Sequence, residues 1–218
     1  MSTWYEYLMA VLFLVAGYFF GSFSTGYFFG KKHGHDIRSE GSGNIGTTNA
    51  LRTMGKGAGL VTFLGDLAKA FIPTLLVRFV YCKTMGYDEG LTYVVTLITG
   101  LGVFIGHIFP FYLHFKGGKG VAVAAAVIVA TSCDGGIGLW MIFIGIVLFA
   151  IIVGISRYVS LGSLTVIWYF PIYVSLKFWG TDIYWIALIL GLIFIALCYI
   201  KHAGNIKRLI SGTERKLF

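Results

Sequence analysis

Seven apolar runs, near Trp4 to Phe29, Gly57 to Cys82, Leu91 to Tyr112, Val121 to Cys133, Ile137 to Ser156, Tyr158 to Trp179 and Ile183 to Ile200, limit what this chain can become. A bilayer core about 30 Å thick takes roughly 20 residues of helix, and backbone inside it must satisfy its own hydrogen bonds. The runs therefore predict an all-α integral membrane protein of about seven transmembrane helices, one domain over residues 1–218. The fourth run is short for a full crossing, so a half-helix there, with an even number of spans, is the rival count. With 57% hydrophobic and 12% charged residues, the chain lacks the polar surface of a soluble domain. The first cations, Lys31 and Lys32, follow the first run rather than precede it, so that run reads as a retained helix and not a signal peptide. Cys82, Cys133 and Cys198 form no CxxC and predict neither a disulfide framework nor a thiolate metal site.

The connecting segments alternate in charge. Lys31, Lys32, Arg38, Arg52 and Lys56, then Lys116 and Lys119, then Arg157, then Lys201, Lys207, Arg208, Arg215 and Lys216 occupy every second one. The other set holds Lys83 with Glu6, Asp88, Glu89, Asp134 and Asp182. Positive loops stay cytoplasmic, so the N-terminus is expected outside and the C-terminus in the cytoplasm. The net charge of +8 then belongs to one face, where it attracts membrane lipid headgroups and small anions. No feature calls for nucleic acid, and the chain is taken as a monomer.

Three segments on that face carry more than charge. In Gly41 to Arg52, Gly41, Gly43 and Gly46 permit close backbone approach to an anion, Ser42, Asn44, Thr48 and Asn49 are neutral donors, and Arg52 offers a planar fork for phosphate oxygens. A plain surface loop is the alternative. In Lys116 to Gly120, the amides of Gly117, Gly118, Lys119 and Gly120 precede a helix starting at Val121, so loop and helix N-terminus converge on one spot. This is not a P-loop, because the GxxxxGK[ST] spacing is absent; His107 and Pro110 just upstream separate it from an ordinary basic turn. In His202 to Glu214, a helical reading puts His202, Asn205 and Leu209 on one face with Arg208 close by, which a merely solvated tail would not need.

Two further features read as structural. Gly17 and Gly21, Gly26 and Gly30, and Gly102 and Gly106 stand four apart, a spacing that lets helix backbones approach. Asp66 and Lys69 lie one turn apart inside the second span, where opposite charges lower each other's cost, and are expected to form a buried pair that fixes packing.

The chain resembles the acyl-phosphate:glycerol-3-phosphate acyltransferases of the bacterial inner membrane, the PlsY family. The residues that carry the likeness are Gly21-Ser22 and Thr25-Gly26, Asp36-Ile-Arg38 leading into Gly41 to Arg52, Asp66 with Lys69, Gly106-His107 through Pro110 to Phe115-Lys-Gly-Gly-Lys-Gly-Val-Ala122, Arg157-Tyr-Val-Ser160, and His202 with Asn205-Ile206, Arg208-Leu209, Gly212 and Glu214. Ser24, Thr47 and Val123 depart from the family pattern, where proline, alanine and threonine are usual. The resemblance implies acyl transfer from acyl phosphate to the 1-hydroxyl of glycerol 3-phosphate at the cytoplasmic face, giving lysophosphatidic acid and phosphate, without cofactor or metal. The HxxxxD dyad of other acyltransferases is missing. Acyl phosphate is already activated, so orientation and charge stabilisation can supply most of the rate. On this reading Lys119 and the GGKG amides hold a phosphate, Ser42, Arg52, His202 and Asn205 bind glycerol 3-phosphate, and the proton passes to the departing phosphate. His202 or His107 as general base is the competing assignment. A small carrier for phosphorylated solutes is the rival function, and a metal-dependent phosphatidyltransferase is disfavoured because the nine acids form no cluster.

Overall fold

The computed structural model describes residues 3–133 and 135–217, so Asp134, one of the acids weighed above, lies outside the described residues. Every regular element among them is helical. They are α1 (Thr3–Ser22), α2 (Thr25–Lys32), α3 (Thr47–Leu76) running on into a π-helical stretch (Val77–Cys82), α4 (Glu89–Ile108) followed by a short 3-10 turn (Phe111–Leu113), α5 (Val121–Ser132), α6 (Gly136–Ser156), α7 (Val159–Val166), α8 (Tyr169–Lys177), α9 (Tyr184–Lys201) and α10 (Ala203–Ile210). Six helical units are long and apolar enough to cross a membrane, and α5, twelve residues long, is the short seventh.

Two of the seven runs are not single helices. The first is interrupted at Phe23 and Ser24, where the Ser24 hydroxyl accepts from the Tyr27 amide and caps α2. An interruption within lipid leaves backbone groups that need partners. Tyr112 supplies two, its hydroxyl donating to the Ser22 carbonyl and accepting from the Ser24 amide, and Lys69 Nζ donates to the Phe23 carbonyl at 2.8 Å. The sixth run divides into α7 and α8 around Ile167 and Trp168, with Pro171 in the first turn of α8, where its missing N–H costs nothing. α3 also turns at Gly55 (φ 86°), so its membrane part begins beside Gly57, where the sequence placed the second span.

α4 is the central column, with fourteen of its twenty residues buried. α1 lies parallel to it, backbone against backbone: a methyl on Gly21 would strike the Val103 carbonyl, one on Gly102 the Leu14 carbonyl, and one on Gly106 the Tyr18 carbonyl. Small residues at these positions allow the contact that drives helix association in lipid. Phe104, Phe170 and Phe194 fill the space between α4, α8 and α9, the last two stacked with centroids 4.4 Å apart. α6 turns Trp140, Phe143, Ile144 and Ile151 outward as a lipid-facing surface. α1 and α4 end together with the starts of α3 and α5 and the end of α9, so the three basic, glycine-containing segments share one end of the bundle, and α1 begins at the other.

Candidate active site

The first segment folds as a loop around Asn49. Its buried side-chain amide donates to the carbonyls of Ile37 (3.2 Å) and Glu40 (3.0 Å), and its Oδ1 accepts from the Ser42 amide (2.8 Å). Asn49 thus holds the loop and does not stand free as a donor for substrate. Asn44 likewise turns its Oδ1 onto the Gly46 amide. Gly41 (φ 59°) and Gly43 (φ 70°) take the left-handed conformation that lets the loop reverse. What remains for a ligand is the Asn44 Nδ2 donor, the exposed Ser42 and Arg52, and Thr48 at the N-terminus of α3, where helix amides lack intrahelical partners.

The second segment is built against α4. The Gly117 amide donates to the Ile108 carbonyl (3.2 Å) and the Gly118 amide to the His107 carbonyl (3.1 Å). These two amides therefore cap the end of α4, and they are not available to a phosphate as the sequence suggested. The two glycines serve close approach: a methyl on Gly118 would overlap the His107 ring, and one on Gly117 the His107 carbonyl. Gly120 (φ 78°) precedes α5 and packs on Phe104. The anion-attracting groups here are the Lys119 ammonium and the first amides of α5.

His107 is buried beneath this loop. Its Nδ1 lies 2.7 Å from Lys69 Nζ and 3.7 Å from Asp66 Oδ1, while Gly118 covers the rest of the ring. It neither reaches phosphate nor can act as a general base toward a substrate. Asp66 and Lys69 form the expected buried pair at 2.8 Å.

In the third segment His202 closes α9, and Asn205 and Arg208 follow on α10. Sequence reasoning placed no role on Glu214, yet its carboxylate organises the whole segment. It accepts from Asn205 Nδ2 (2.5 Å), Arg208 Nε (2.7 Å) and Ser160 Oγ (2.9 Å). Burial works against its ionisation, but these three donors outweigh it and hold the carboxyl below its ordinary range. The sequence marked it only as one of the residues that carry the family resemblance, because the turn at Gly212 (φ 70°) breaks the helical spacing that would have linked it to Asn205.

The three segments meet. Arg215 Nη1 donates to the Gly41 carbonyl (3.1 Å), joining the C-terminal tail to the first loop. Burial brings the Lys119 ammonium down to about 8; Glu214 opposes this, and Arg208 and Arg52 reinforce it. Lys119 therefore lies within electrostatic reach of both other segments. His202 donates its Nδ1–H to the Cys198 carbonyl (2.8 Å), which leaves Nε2 as the acceptor of a neutral ring. Burial carries its pKa down to about 4, against that hydrogen bond and with help from Lys119. Beside this cluster Leu161, Leu164, Trp168, Tyr199, Ile206 and Leu209 line an apolar groove on α7, α9 and α10.

The family sequence profile described as glycerol-3-phosphate acyltransferase matches residues 11–212. The glycerol-3-phosphate acyltransferase of Trichlorobacter lovleyi is 39% identical over 210 residues, covering 96% of this chain and 98% of that protein. That of Aquifex aeolicus is 36% identical over 209 residues, 95% of this chain and all of its relative. Among solved structures, PlsY (YgiH), an integral membrane glycerol 3-phosphate acyltransferase, superposes in its glycerol 3-phosphate form with a TM-score of 0.79 at 32% identity, covering 95% of this chain and 94% of that one. Its lysophosphatidic acid form gives a TM-score of 0.77.

Proposed function

The chain belongs to the glycerol-3-phosphate acyltransferase family, and from that premise we propose that it moves a fatty acyl group from acyl phosphate to the 1-hydroxyl of glycerol 3-phosphate, releasing lysophosphatidic acid and phosphate. The observation that carries this reading is the meeting of the three segments at one end of a membrane bundle, where cations and neutral donors adjoin an apolar groove. A basic, donor-rich pocket suits two phosphate-bearing reactants, and the groove suits a fatty tail that stays in lipid. The loop charges favour a cytoplasmic site in the bacterial inner membrane, with the N-terminus outside.

Lys119 holds one phosphate and stabilises the charge that develops on it, with Arg52 and Arg208 contributing to the same field. Ser42 and Asn205 orient glycerol 3-phosphate, and His202 Nε2 accepts from one of its hydroxyls. The C1 oxygen attacks the acyl carbon, the bond from that carbon to the phosphate oxygen breaks, and the hydroxyl proton passes to the departing phosphate. A histidine held neutral down to about pH 4 is a weak proton acceptor at neutral pH, which favours the phosphate as base over His202. Covalent catalysis by Ser42 is disfavoured, since among the described residues neither a histidine nor a carboxylate bonds its hydroxyl.

Purified protein given acyl phosphate and glycerol 3-phosphate should release phosphate and form lysophosphatidic acid, without a metal requirement and without turnover of acyl-CoA. Phosphate release independent of glycerol 3-phosphate, or solute accumulation in sealed vesicles without acyl transfer, would overturn the reading.

A further inference from the structure

Lys69 is buried in the span of α3, and three acceptors surround its ammonium: Asp66 Oδ1 and the Phe23 carbonyl, each at 2.8 Å, and His107 Nδ1 at 2.7 Å. An ammonium has three protons and no acceptor, so all three are used, and His107 receives at Nδ1 and carries its own proton on Nε2. The Nε2 edge of that ring lies under Gly118, whose amide bonds the His107 carbonyl, one residue before Lys119. A second ammonium approaches from α9: Lys201 Nζ donates to the Ile108 carbonyl at 3.0 Å, and the same carbonyl accepts the Gly117 amide. The loop carrying Lys119 thus rests on one buried and one half-buried cation, which reach it through the last carbonyls of α4 and one imidazole ring.

A buried ion pair is weak evidence for stability, since apolar replacements of similar volume are often neutral or better. We infer that Asp66, Lys69 and His107 are positioning residues for acyl transfer: they fix the interruption in the first span and the end of α4 in one register, and so set where the Lys119 ammonium meets a substrate phosphate. The inference rests on the reading of Lys119 as a phosphate-holding group. Misplacement of such a group by about 1 Å can cost on the order of 100-fold in rate.

The test uses the full-length protein in detergent or nanodiscs and a charge-neutral double variant, Asp66→Leu with Lys69→Met, beside His107→Leu and His107→Asn. Two readouts are taken: kcat and KM for each substrate, and acetylation of Lys119 by an amine-directed ester, followed by peptide mass spectrometry with and without glycerol 3-phosphate or inorganic phosphate. The expected result is protection of wild-type Lys119 by at least one of these ligands. In the double variant that protection is lost, other lysines label as before, and kcat/KM falls about 100-fold. Asparagine can offer an oxygen where Nδ1 stood, so His107→Asn should be at least tenfold more active than His107→Leu; this pair decides the matter if the double variant does not fold. Wild-type protection and kcat/KM in a folded double variant, or equal activity of the two His107 variants, overturns the positioning role. Absence of protection in the wild type overturns the reading of Lys119, and the inference with it.

Discussion

The loops before α3 and α5 are both rich in glycine, both basic, and both deliver the chain into a helix N-terminus, yet they are held by opposite means. The first lies at the surface and keeps its shape through side-chain tethers, chief among them Asn49 with three hydrogen bonds to backbone. The second is pressed against α4 and keeps its shape through the absence of side chains, with Gly117 and Gly118 seated on the His107 carbonyl and ring. A glycine-rich anion site can thus be made by hydrogen-bond tethering or by steric fit, and the two fail differently. Tethering tolerates a small change at Gly43, away from the clamp, but not at the clamp itself or at Gly41, where a methyl would strike Asn49 Oδ1. Fit tolerates nothing at its glycines.

The sharpest way to break this contrast is Gly118→Ala. The added methyl overlaps a ring that is itself fixed by Lys69, so the strain cannot relax cheaply; overpacking of this kind costs roughly 1–3 kcal/mol, and kcat/KM for phosphate release should fall about 100-fold. Next in size is Asn49→Ala, which leaves the Ser42 amide and two carbonyls without this partner. At about 1 kcal/mol for each bond, softened by water, the KM for glycerol 3-phosphate should rise about 30-fold while kcat changes little.

Alkaline pH acts on the second loop alone. With its pKa near 8, Lys119 is a cation below that pH and loses its proton above it, so kcat/KM should fall about tenfold between pH 7 and pH 9. A bound phosphate favours the ammonium, so the corresponding limb in kcat should lie higher, and Lys119→Arg should flatten the limb whatever its effect on the rate. The smallest effect belongs to Gly43. Alanine there meets a left-handed φ of 70° and the Arg38 carbonyl 2.9 Å from its methyl, which should cost about fivefold in kcat/KM. Asparagine, which enters that conformation more readily, should do less harm at Gly43 and no less than alanine at Gly118. Equal sensitivity of Gly43 and Gly118 in a single assay would erase the distinction between the loops.

What could be read from the chain follows how local each signal is. The apolar runs, the short α5, the pairing of Asp66 with Lys69 and the glycines four apart that let a helix backbone be approached all depend on spacing within one helix, though which helix meets which, α1 on α4, was not legible. The gathering of three segments at one end was legible because charge alternates with each crossing. Partners far apart in the chain gave no such signal. His107 stood 38 residues from Lys69 and read as a substrate ligand rather than the support of a loop, and Glu214 bonds Ser160 across 54 residues. The interruption at Phe23 and Ser24 contains no proline, and only a serine in capping position marked it. The glycines of the second loop were legible as necessary, but whether they free an amide or admit a ring depends on α4, which the loop's own residues do not describe.

The brevity of α5 has an effect on the opposite face of the bundle. Gly100 of α4 abuts Val127 of α5; from that contact α4 extends eleven residues back to its start, and α5 only five to its end. The difference of about six residues leaves α5 some 9 Å short. Arg78 reaches in there to cap it, Nη1 donating to the Thr131 carbonyl at 3.3 Å. The gap is closed by protein and not by lipid, since Arg78, Thr131 and Ser132 are all buried, and a carbonyl left there without a donor would be costly. A side chain from the π-helical stretch thereby completes, at the far end of the bundle, a helix too short to finish the crossing itself.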